Sequence, residues 1–458
     1  MTLRPTAIHR CRKYTNPSRN TPHESLLQPA YLANHLPDPH QPADGEYDRA
    51  GRVGEVELGT SALAGVYYMA IFMLGFGFSI GVQILIARRN GEGRLREIGP
   101  IFQQGLLFLL FFAAVMFFVS KSFTPLLLRR LIDSDAVYTA AISYLDWRIY
   151  GFFFSFAAVL FRAFYVGTTN TRILTANSVV MVLTNVVLNY ILIFGKLGCP
   201  ALGIAGAAIA SSAAELVSLL FFAIYTRLKG NPRRYRLFRF RGVNFRELGL
   251  IFNVSIWTMM QAFISTATWF LFFLAVEHLG ERQLAISNIV RSLSSILFVT
   301  ISAFGSTTSA LVSTLMGRGE PKLVMPTVWQ IVRMSYWAAL PVMALMALFP
   351  SLVLHIYTGD QSLISASIAS LWVMVAIYFT LIPSNMLFCA VSGTGNTRAA
   401  MLMELVALAV YVAAIWQIII VHRPDIAVCW TVDHIYSIVL LLFTYLYLTK
   451  ANWQNKKI

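Results

Sequence analysis

Long apolar runs separated by short polar or basic stretches fill this chain from about residue 61 to residue 448. Many reach the 18 to 20 or so residues that an α-helix needs to cross roughly 30 Å of hydrocarbon. The pattern predicts eleven spans, at about 61–87, 99–120, 136–161, 172–195, 201–226, 247–278, 283–315, 326–354, 363–389, 399–421 and 426–448. The expected fold class is therefore all-α, a polytopic membrane protein. Composition agrees: 57% of the 458 residues are hydrophobic and 12% charged, too little polar surface to cover a soluble globule.

The formal charge of +15 sits in the tails and in short loops between apolar runs, where it orients a membrane protein rather than gripping nucleic acid. The most basic loop runs from Arg227 to Arg246 and is expected in the cytoplasm. Arg88, Arg89, Arg94 and Arg96 fall on the same side, as do Arg162 with Arg172, Arg318 with Lys322, Arg398, and Lys450, Lys456 and Lys457. The C-terminus is then inside. An odd number of spans puts the N-terminus outside, although Arg4, Arg10, Arg12, Lys13 and Arg19 favour the cytoplasm.

The first 58 residues hold seven of the 17 prolines and no apolar run, and as written they read as disordered. Leu36 to Asp48 is a polar string rich in Pro, Asp and His, yet codons for these residues read one nucleotide later give Leu, Ile, Thr and Met. The shifted string reads as a membrane span, so a frameshifted first helix is one expectation and an ordinary linker the other. The domain reading that follows is an atypical segment at 1–58, an N-lobe at 59–228, a basic linker at 229–246 and a C-lobe at 247–458.

Two strings nearly repeat: Gly167-Thr168-Thr169-Asn170-Thr171-Arg172 and Gly393-Thr394-Gly395-Asn396-Thr397-Arg398. Gly77 to Glu92 likewise precedes Gly305 to Glu320 by 228 positions (305 minus 77), both closing a span on the cytoplasmic side. With a first helix restored, the chain is six plus six, and an even number of spans per repeat gives parallel repeats around an axis along the membrane normal.

These strings, with Gly51-Arg52-Val53-Gly54, Ala87-Arg88-Arg89-Asn90-Gly91 and Leu202 to Ser211, resemble the multidrug and toxic compound extrusion (MATE) family from Gly51 to about Lys450. The resemblance implies two six-helix bundles in a V and an antiporter that exports organic cations or amphiphilic drugs in exchange for Na⁺ or H⁺. It implies no cofactor beyond that ion, a small-molecule substrate, a monomer, and, for a bacterial member, the cytoplasmic membrane.

Ionisable groups in hydrocarbon are functional candidates because each is costly unless paired or hydrated. Glu215, Asp433 and Glu404 are such groups, with Glu215 and Asp433 aligned as repeat equivalents, and so is Arg291. They read either as a coupling network or as ties between helices. Asn185 and Asn189, at i and i+4, present two amide oxygens on one helix face and suit a hard cation. The family resemblance adds the hydroxyl of Ser211 and Tyr144 to that possible Na⁺ site, together with a first-helix aspartate that has no match here; interhelical hydrogen bonding is the other reading. Gln261, Ser265, Trp269, Asn288 and Asn385 join Arg291 as candidate cavity residues, with Trp269 read as a cation–π surface for substrate or as packing.

No HExxH, GxSxG, P-loop or acidic metal cluster is present, so an enzyme is not expected. The alternatives carried are a lipid-linked oligosaccharide flippase of the same superfamily and a transport-dead remnant.

Overall fold

The computed structural model describes residues 47–132, 134–238 and 242–454. The proposed frameshift and most of the 1–58 segment lie outside them. Helix α1, Tyr47–Gly91, begins inside the stretch expected to be disordered, so Tyr47 to Leu58 are helical.

Eleven predicted spans find eleven helical counterparts. After α1 come α2 (Ile98–Leu131), α3 (Asp135–Arg148), α4 (Gly151–Gly167), α5 (Arg172–Phe194), α6 (Gly203–Lys229) and a short α7 (Pro232–Tyr235). The second half contains α8 (Phe245–Glu277), α9 (Glu281–Arg318), α10 (Val324–Leu348), the short α11 (Pro350–His355) and α12 (Gln361–Gly393). It ends with α13 (Thr397–Ala414), α14 (Ile426–Cys429) and α15 (Thr431–Lys450). Among the described residues ten helices are long and apolar enough to cross a membrane, or eleven when α3 and α4 count as one span bent by 49°. The expected single helix over 136–161 is therefore broken near Ile149, and it runs on to Gly167.

Local chemistry sets the helix starts. The Asn244 side chain accepts from the backbone N–H groups of Arg246 and Glu247 at 3.1 and 3.4 Å, opening α8. Asp360 does the same for Ser362 at 2.9 Å, opening α12. Outward positions remain apolar: Phe111 is 67% and Trp337 74% exposed, which suits a surface solvated by lipid.

Among the described residues the apolar interior has two large cores and two small satellites. One core gathers Phe78, Phe152, Phe156 and Phe164, and the other Val290, Leu371, Tyr378 and Met386. Helix α8 serves both, placing Ile251, Val254 and Met259 in the first core and Phe272 and Val276 in the second.

Where the bundles meet, the two copies of the repeat expected on the cytoplasmic side lie on each other. The hydroxyl of Ser313 donates to the carbonyl of Ile84 at 2.7 Å, and that of Thr314 to Ala87 at 3.3 Å. A Cβ on Gly91 would stand 2.1 Å from the Thr314 carbonyl oxygen, and one on Gly317 2.3 Å from that of Arg88. Backbones approach this closely only because both positions lack a side chain. Further along α1, Thr258 of α8 donates to the Gly77 carbonyl at 2.7 Å. These contacts hold the two bundles together at the end of α1 and α9 where the repeats cross.

Candidate functional site

The first bundle holds an ion pair at its centre. Glu215, twelve residues into α6, accepts two bonds from Arg148: Nη2 to Oε1 at 2.6 Å and Nη1 to Oε2 at 3.0 Å. Tyr68 of α1 donates to the same carboxylate at 3.1 Å, and its ring lies 3.6 Å from the guanidinium carbon. The pair is packed tightly enough that a Cβ on Gly151 would meet Arg148 Nη1 at 2.3 Å and Glu215 Oε2 at 2.5 Å. The bend between α3 and α4 places the arginine here, since Arg148 ends one helix and Gly151 starts the next. Ser212 supports it by donating to the Trp147 carbonyl at 3.3 Å. Bidentate geometry with additional donors is what allows two charges to stay ionised in a poorly hydrated interior.

Sequence reading found Glu215 but missed Arg148 and Tyr68. Arg148 was nonetheless visible as a charged residue within a predicted span. Tyr144, assigned by family resemblance to the asparagine site, lies beside Arg148 and accepts a hydrogen bond from it.

Asn185, Asn189 and Ser211 do come together. Asn189 donates from Nδ2 to Asn185 Oδ1 at 3.0 Å, and Asn185 from Nδ2 to Ser211 Oγ at 3.3 Å. The Oδ1 of Asn189 is buried without a hydrogen-bond partner. An orphaned buried acceptor next to two further oxygens offers oxygen ligands of the type a hard cation takes, although the cluster carries no negative charge and two of the oxygens already accept hydrogen bonds within it. Three oxygens without charge make a weak site.

In the second bundle Glu404 of α13 is 4% exposed and held by neutral donors. Gln261 Nε2 reaches Oε2 at 3.2 Å, Tyr436 OH reaches Oε1 at 3.2 Å, and the Ser265 hydroxyl also donates to Oε1. Gln261 and Ser265, one turn apart on α8, thus face Glu404 together. Asp433 of α15 is hydrogen-bonded by Tyr411, whose ring meets that of Tyr436 at 5.7 Å. Each carboxylate thus has its own tyrosine donor, and the two donors meet ring to ring. Among the described residues neither forms an ion pair, in contrast to Glu215.

The remaining candidates disperse. The guanidinium of Arg291 lies 5.9 Å from the Trp269 ring centroid and 5.5 Å from that of Phe273, so the protein's own cation already faces the surface expected to take a substrate. Asn385 pairs with Cys389 Sγ at 3.7 Å, against Gly305. Asn288 is partly exposed on α9 and joins neither carboxylate cluster.

Arg162 departs most from expectation. It was placed in a cytoplasmic loop, but α4 continues past it, and its Nη2 donates across the bundle interface to Ser306 Oγ at 3.4 Å.

Two bundles of membrane-crossing helices, joined where the repeats cross and carrying buried charge in each half, define a polytopic helical membrane protein. The chain belongs to the MatE family, whose model matches residues 49–191 and 251–416; members of that family are transporters and not enzymes. It is 26% identical over 280 residues to the probable multidrug resistance protein NorM of Idiomarina loihiensis, covering 60% of each chain. With the protein of that name from Pasteurella multocida it shares 23% over 331 residues, covering 72% of this chain and 71% of that one. The chain thus spans 60% of the first relative's length and 71% of the second's. A solved structure described as the outward-facing conformation of a multidrug resistance MATE family transporter superposes with a TM-score of 0.78, at 18% identity, over 87% of this chain and 89% of that one.

Proposed function

We propose that this chain is a secondary antiporter that exports small organic compounds, cations among them, across a bacterial cytoplasmic membrane in exchange for H⁺ or Na⁺. The observation that carries the reading is the contrast between Glu215 and Glu404. Glu215 is paired with the Arg148 guanidinium, which supplies its counter-charge from within the bundle. Glu404 is buried among Gln261, Ser265 and Tyr436, neutral groups that tolerate either the ionised or the neutral carboxyl. A coupling group must gain and lose a positive charge during the cycle, and a carboxylate with neutral partners does so without stranding a buried arginine. Tyr436 bonds Glu404 and Tyr411 bonds Asp433, and the two tyrosine rings touch edge to face, which packs the second carboxyl close behind the first.

The test is exchange in proteoliposomes loaded with dansylcadaverine, a fluorescent organic cation, under an imposed proton or Na⁺ gradient. Glu404→Gln is expected to abolish gradient-driven movement while the purified variant still binds the dye. Gradient-driven exchange at the unaltered rate in Glu404→Gln would remove this carboxylate from the mechanism, and absence of exchange in the unaltered protein would overturn the antiporter reading.

A further inference from the structure

Arg162 lies between the bundles rather than at a membrane face. It sits five residues before Gly167, so about 7 to 8 Å inside the cytoplasmic end of α4 at 1.5 Å per residue. Its guanidinium is 5.2 Å from the Phe76 ring centroid and reaches Ser306 of the opposite bundle. Ser306 Oγ donates to Gln83 Oε1 at 3.2 Å, and Gln83 Nε2 donates back to the Ser306 carbonyl at 3.1 Å, so that hydroxyl and amide are held in place. Among the described residues no carboxylate pairs with Arg162. The residue is only partly covered, in contrast to the buried residues on either side of it.

A cation at this depth is expensive, and a purely structural arginine would be expected to take a carboxylate partner, as Arg148 does. A guanidinium offers five N–H donors in a planar fork that matches a carboxylate, and the contacts here are one hydroxyl and one aromatic face. The charge of the first bundle is also unbalanced around it. Glu215 is cancelled by Arg148, so Arg162 leaves this side of the interface positive, while the second bundle sets Glu404 and Asp433 against the cation Arg291.

We infer that Arg162, with Gln83, Ser306 and Phe76, forms an anion subsite between the bundles that takes the carboxylate of an organic substrate, with the substrate's apolar body against Phe76. The inference rests on the reading of the chain as an exporter of small organic compounds and extends its substrates to carboxylate-bearing and zwitterionic ones. A single guanidinium beside a ring suits a monoanion with an attached aromatic or aliphatic part.

The test uses two probes with one fluorophore, dansylglycine (anionic) and dansylcadaverine (cationic), titrated against the purified full-length protein in detergent. The unaltered protein is expected to bind both saturably. Arg162→Gln should raise the Kd for dansylglycine about tenfold or more and shift the ratio of the two Kd values by a similar factor, as expected for loss of one charge-assisted contact. Arg162→Lys should fall between. If Arg162→Gln does not elute as a monodisperse folded species, the Arg162→Lys ratio carries the test, with about a threefold shift expected from loss of the fork geometry. Equal weakening of both probes would mean a structural role and overturn the subsite, as would a dansylglycine Kd within twofold of the unaltered protein or no saturable dansylglycine binding at all. Failure of the antiporter reading is seen separately, as absent gradient-driven dansylcadaverine exchange.

Discussion

Arg148 and Glu215 meet through two parallel hydrogen bonds of 2.6 and 3.0 Å in the middle of the first bundle, with the Tyr68 ring stacked on the guanidinium. A buried pair of this kind is far more sensitive to the loss of one member than of both, since the survivor is left charged and unpaired.

Arg148→Gln is accordingly expected to destabilise the protein by about 3 to 5 kcal/mol, and Arg148→Gln with Glu215→Gln by clearly less. A double-mutant cycle on thermal melts in detergent measures the coupling. Additive losses would show that the two side chains do not depend on each other.

The asparagine ladder yields a second expectation. Asn189→Asp places a carboxylate next to Asn185 and Ser211, supplying the charge that this oxygen cluster lacks. Na⁺ should then raise the melting temperature of the variant by several degrees more than that of the unaltered protein, because ligand binding stabilises the folded state by mass action. Matching Na⁺ responses in the two proteins would contradict this.

The cytoplasmic crossing supplies a third. Gly317→Leu drives a side chain into the carbonyl of Arg88, so the closed arrangement should lose population to one with the cytoplasmic ends parted. On a Ser313→Cys background, a membrane-impermeant maleimide applied to inside-out vesicles should label the cysteine about fivefold faster or more. Unchanged labelling would mean that the helices separate elsewhere.

Hydropathy alone made the spans legible, because the hydrocarbon solvent demands long apolar helices and leaves few alternatives. Gln261, Ser265 and Glu404 were also readable as polar groups at depth, and the structure brings them together. Arg148 and Arg162 were missed for related reasons. The bend near Ile149 has no proline to mark it, and the predicted end of that span, 161, fell one residue short of Arg162. The pairing of Asp433 with Tyr411 depends on how α13 and α15 pack, and hydropathy carries no register between helices.

At the crossing of α1 and α9, a segment meets its own duplicate. Such a contact has the geometry of a two-fold interface in which one surface serves both partners. If two half-length copies once joined there, each substitution at the seam would have acted on both sides at once, and neither copy could have taken a charge the other lacked. Fusion into one chain lifted that constraint: beyond the Arg148–Glu215 pair the first half now holds Arg162, while the second sets Glu404 and Asp433 against Arg291, an electrical asymmetry that a self-paired ancestor could not have sustained.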